Sequence, residues 1–110
     1  MTITQRHEEA ADVEQEAVTL LRRLAARDKA AWADDLADAL SDLGASRLMR
    51  DSADEAVALA EEAVEIFSAL AGKDPAADRT GLTTARRVLM AARAKRIWSW
   101  GPWPGRRDRG

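Results

Sequence analysis

The chain has no cysteine, no tyrosine and one histidine among its 110 residues. Without cysteine, disulfides and thiolate metal sites are excluded. His7 stands alone in an acidic stretch, with none of the partners that a nucleophilic triad or a metal site requires. No glycine-rich loop follows a strand-like run. The sequence therefore assigns no catalytic residue, metal ligand or cofactor, and the expectation is a protein that is not an enzyme. Aromatic residues make up only 5% of the chain, while alanine supplies much of the 46% that is hydrophobic. Small side chains suit close contact between helices. Alternating runs of β-branched and aromatic residues are missing, so strands are not expected. No eighteen apolar residues run together, and MTITQRHEEAADVE has no apolar signal core. A soluble, cytoplasmic protein of one small domain is the expectation.

What is present is helical periodicity. From Ser52 to Asp74 the residues Ala53, Ala56, Val57, Ala60, Ala63, Val64, Phe67, Leu70 and Ala71 step by three and four, while Asp54, Glu55, Glu61, Glu62 and Glu65 fall away from that stripe. Ser52 with Glu55 reads as a capping box, and Gly72 as the left-handed residue after the last turn. A first helix is expected over about His7–Ala26, with acidic residues in its first turns and Arg22, Arg23 and Arg27 in its last, the favourable order against the helix dipole. A second is expected over about Ala30–Met49, with Trp32 packing over the hairpin joint. Gly44 lies inside it, where a glycine costs about 1 kcal/mol relative to alanine and implies a packing reason. Asp74 and Pro75 signal a fourth, which runs from about Pro75, or from about Thr80 if Gly81 delays the start by a turn, to about Arg96.

The two halves repeat. Glu16-Ala17-Val18 recurs as Glu62-Ala63-Val64, an offset of 46 residues. The same offset aligns Glu9-Ala10 with Glu55-Ala56, Leu24-Ala25 with Leu70-Ala71 and Asp28 with Asp74. It also aligns Leu36, Ala39 and Leu43 with Leu82, Ala85 and Leu89. One ungapped register spans two helices and the turn between them, so the unit is a repeated helical hairpin, and periods of this size mean an α-solenoid.

Leu40-x-x-Leu43-Gly44 followed by Ala56, Ala60 and Ala63 resembles the tetratricopeptide repeat. Glu61-Glu62-Ala63-Val64, Leu70-Ala71 and Asp74-Pro75-Ala76-Ala77 resemble its long-period, Ala- and Arg-rich bacterial variants. The likeness covers about residues 8–93. Arg47 stands where the pattern has a large apolar residue, Arg86 and Met90 replace an apolar residue and the glycine, and the chain opens on the second helix of a repeat. These departures fit degenerate or terminal repeats. The resemblance implies an all-α fold of about four antiparallel helices in residues 1–97. It also implies a non-catalytic scaffold that binds a protein or peptide partner. By resemblance the partner-binding groove is lined by Asp38, Ser41 and Ala45, then by Thr84, Arg87 and Ala91. With about two repeats, where a solenoid needs about three, the helices either close on one another or the open faces bind another chain, a second copy included.

Charge is divided along the chain. Residues 1–85 carry 9 basic and 18 acidic side chains, and residues 86–110 carry 8 basic and 1 acidic. Asp34, Asp35, Asp38 and Asp42 form an acidic edge that reads as a solvated helix face. Residues 98–110 read as an irregular tail in which Trp98, Trp100 and Trp103 are interleaved with glycine, proline and arginine. The simplest reading is that the tail caps the array and the basic helix lies against the acidic ones. The alternative is a small regulatory protein whose basic, Trp-rich end contacts nucleic acid or an anionic membrane surface.

Overall fold

The computed structural model describes residues 3–74 and 79–100, with side-chain detail at Glu9, 12–74 and 79–98. Among the described residues the chain is all-helical: α1 (Ile3–Arg27), α2 (Lys29–Met49), α3 (Ala53–Lys73) and α4 (Arg79–Trp100), with no strand. Each helix folds back on the one before it, and α2 also meets α4. Among these residues α1 and α3 meet only through side chains. Val18 and Phe67 share one apolar cluster, and the Arg22 guanidinium grips the Glu62 carboxylate with two hydrogen bonds.

The core follows from the alanine-rich composition. Phe67, Leu40, Leu43 and Val18 are its largest fully buried side chains and belong to a cluster shared by all four helices. A second cluster, between α3 and α4, consists of Ala56, Val57, Ala60, Leu89 and Ala92. Ala56, Ala60 and Ala92 have no exposed surface. Small side chains bring these helices close.

Helix ends depart from the sequence expectations in instructive ways. At the α1–α2 joint, Asp28 caps α2 by accepting from the Ala31 amide at 3.2 Å. Trp32 is half-buried just beyond. Because α1 begins at Ile3, no acidic residue lies in its first turn, and the expected dipole arrangement is lost at that end. Between α2 and α3 the left-handed residue is Asp51 (φ 63°). Its amide donates to the Leu48 carbonyl at 3.2 Å, and the Ser52 amide donates to the Arg47 carbonyl at 2.8 Å. This is a Schellman turn with aspartate in the usual glycine position.

That turn undoes the expected capping box. Glu55 would have to reach the Ser52 amide, which the Arg47 carbonyl already holds, and the Ser52 side chain makes no capping hydrogen bond. Glu55 pairs instead with Arg47, at 3.0 Å. Gly72 likewise does not take the left-handed conformation: α3 continues through it to Lys73, and Asp74 closes the helix in extended backbone. Pro75 lies outside the described residues. At the other end α4 continues to Trp100, past the expected boundary at Ile97; Trp103 and the rest of the expected tail lie outside the described residues.

Candidate functional site

The stripe expected to line a groove is divided by the structure. Asp38, Thr84, Arg87 and Ala91 are exposed, and Ala45 is half-buried. Ser41 is buried, at 5% exposure, and its hydroxyl has no hydrogen-bond partner. The exposed members place one acidic and one basic side chain on two helices that touch, so this surface is polar and of mixed charge. The His7 and Trp100 side chains lie outside the described set. Asp34, Asp35, Asp38 and Asp42 are all exposed. Among the described residues no three acidic or imidazole side chains converge as metal ligands would.

Gly44 marks where three helices converge. A β-carbon there would lie 3.5 Å from Val88 Cγ1 on α4, and 3.6 Å from both the Ala56 carbonyl oxygen and Leu59 Cβ on α3. Those are ordinary contact distances. A methyl group fits, whereas a longer side chain would push α3 or α4 away.

Cross-helix ion pairs neutralise much of the basic fourth helix. Arg93 pairs with Glu61 at 3.3 Å, Lys95 with Asp51 at 2.5 Å, and Arg96 approaches Asp54 at 4.0 Å. Arg79, Arg86 and Arg87 remain exposed on the same helix. At the far side, hydrogen bonding to Glu62 raises the Arg22 pKa above its ordinary value, against a smaller lowering by desolvation. No helix among the described residues is long and apolar enough to cross a membrane.

The 46-residue offset reappears in these contacts. Arg47 donates to Gln15 Oε1 at 3.2 Å across the α1–α2 hairpin, and Arg93 donates to Glu61 Oε2 at 3.3 Å across the α3–α4 hairpin. Both members of the first pair stand 46 residues before their counterparts in the second. One residue earlier, the same offset aligns Ser46 and Glu14, hydrogen-bonded at 2.5 Å, with the buried pair Ala92 and Ala60. The two hairpins thus use the same positions to hold themselves together.

Two features escaped the sequence reading. The first is an open groove of about 660 Å³ between the start of α2 and the second half of α3. Ala33, Ile66 and Leu70 give it an aliphatic wall; Lys29, Lys73, Glu62 and Glu65 give it charge of both signs. The second is the pair of outer helix faces: Val13 (65% exposed) and Leu20 (56%) on α1, and Met90 (69%) on α4. The repeat register contained a signal for them, since each aligns with a position packed inside the chain.

No family model matches the chain, and neither a curated protein nor a solved structure matches it.

Proposed function

We propose that the chain is a non-catalytic interaction module: a tetratricopeptide-like pair of helical hairpins that presents a preformed surface to a protein or peptide partner. The observation that carries this reading is the equivalence of the Arg47–Gln15 and Arg93–Glu61 contacts, which supports two hairpins built in one register. The working surface runs over α2 and α4 through Asp38, Thr84, Arg87 and Ala91. Asp38 and Arg87 favour a segment that offers a cation and a carboxylate at matching spacing. Ser41, being buried, acts from beneath that surface.

The test is selection of random linear peptides on the immobilised full chain, followed by affinity measurement against Arg87→Glu and Asp38→Lys. Enriched peptides that carry both charges, and that lose about fivefold or more in affinity with either substitution, are the expected result. No enrichment, or peptides indifferent to both substitutions, would contradict it.

A second reading places contact at the end of α4. It is favoured by the half-exposed Ile97 and Trp98, near the end of a helix with six cations and no carboxylate. Under that reading a mixed-sequence single-stranded oligonucleotide or anionic vesicles would bind, steeply weaker as salt is added. Arg93, Lys95 and Arg96 are already drawn toward carboxylates of the same chain, which weighs against it.

A further inference from the structure

Inside the chain, Arg47 looks both ways. One terminal nitrogen of its guanidinium donates to Gln15 Oε1 on the preceding helix, and its Nε meets Glu55 on the following one, at 3.0 Å. Its counterpart in the repeat, Arg93, makes the backward contact with Glu61. At the same offset the position of Glu55 falls on Gly101, which offers no carboxylate. The counterpart of Glu55 in the same register is Glu9, an exposed residue of α1.

Apolar positions fall in the same register. On the α2–α3 contact, Gly44 lies close to Leu59, and Ile66 packs against the core. Their counterparts are Met90, Val13 and Leu20, three of the large apolar side chains left exposed. Charge is complementary too. Glu9, Asp12 and Glu16 are exposed in the first half of α1, and Arg86 and Arg93 lie on α4, which carries no acidic residue.

We infer that the two ends of the chain fit each other, so that α1 of one copy docks on α4 of another as α3 docks on α2 within the chain. In that joint Arg93 bridges Glu61 of its own chain and Glu9 of the next, and Met90 packs on Val13. Met90 stands where Gly44 admits close approach, so the docked helix sits farther out and the flexible methionine fills the gap. The contact is heterologous. It propagates from copy to copy, giving chains or rings and no closed two-fold dimer. The inference rests on the repeat register of the proposed module and not on its peptide surface. Its failure would leave peptide selection on the Asp38 and Arg87 surface unchanged.

The test is weight-average mass of the full chain by sedimentation equilibrium across a wide concentration series, with helicity monitored by circular dichroism. The expected mass rises past that of a dimer, continuing without a plateau where open chains form and levelling above the dimer where a ring closes. Glu9→Arg and Arg93→Glu each weaken association about fivefold or more. The two substitutions combined in one chain restore it. Met90→Glu, at a position already exposed in the monomer, abolishes association while leaving helicity intact. A monomer at every concentration, a plateau at dimer mass, or association indifferent to the charge reversals and to Met90→Glu would overturn the inference.

Discussion

Lys95 near the end of α4 closes the turn between α2 and α3: its Nζ lies 2.5 Å from Asp51 Oδ1 and donates to the Leu48 carbonyl at 3.2 Å. Asp51 is the residue with left-handed backbone, and Leu48 accepts the Asp51 amide in the same turn. The last helix therefore holds the junction between the two hairpins, and both partners are identifiable by substitution.

At Asp51 the order of substitutions is informative. Asparagine tolerates the left-handed region and gives up only the exposed ion pair, so Asp51→Asn costs up to about 1 kcal/mol. Alanine gives up the pair and strains the backbone, so Asp51→Ala costs about 1–2 kcal/mol more. Lys95→Met removes the pair and the Leu48 hydrogen bond together. Urea unfolding of the three variants gives the order directly.

At Gly44 the sign runs against the usual assumption that a buried helical glycine is indispensable. Ordinary van der Waals space surrounds the missing methyl group. Gly44→Ala should therefore gain up to about 1 kcal/mol from helix propensity. Gly44→Leu should cost about 1–3 kcal/mol by overpacking. Thermal melts of both variants would show opposite shifts.

Ser41 offers a second stabilising change. Its buried hydroxyl has no partner. Removing it relieves a desolvation penalty on the order of 1 kcal/mol. Ser41→Ala should leave stability unchanged or raise it, whereas Ser41→Val should lower it by crowding. A large loss in the alanine variant would mean that the hydroxyl is bonded in solution.

Phe67 is the opposite case. It is the only phenylalanine and, among the described residues, the largest fully buried side chain, 1% exposed, in the cluster that all four helices share. Phe67→Ala should cost about 3–5 kcal/mol, a large fraction of the stability of a domain this size. Phe67→Leu, which keeps most of the volume, should cost far less. Denaturant midpoints at constant m-value would separate the two.

The helices were legible because their apolar residues step by three and four. The stripe through Ala56, Ala60, Ala63 and Phe67 is buried in the structure. What was not legible depends on partners distant in sequence. Gly72 is the better left-handed residue by local chemistry, yet Asp51 takes that conformation, 44 residues from the lysine that holds it. Glu55 sits at capping-box spacing, but the turn consumes the Ser52 amide first. Ser41 shares a helical stripe with Asp38 and Ala45, and only the packing of its neighbours decides that it is covered. The groove beside Ile66 is made where the start of α2 meets the second half of α3, far apart in sequence, and no local pattern encodes that meeting.

The equivalence of the two hairpins is the central claim, and the absence of cysteine makes it directly measurable. Spin labels can be attached at Thr19→Cys with Asp38→Cys, and at Glu65→Cys with Thr84→Cys, pairs of exposed positions that the 46-residue offset relates. Electron paramagnetic resonance distances on each doubly labelled chain, diluted with unlabelled protein, should give two overlapping distributions with the same mean. Well-separated means would show that the hairpins differ in geometry, and the repeat-based account of this protein's surfaces would fall with them.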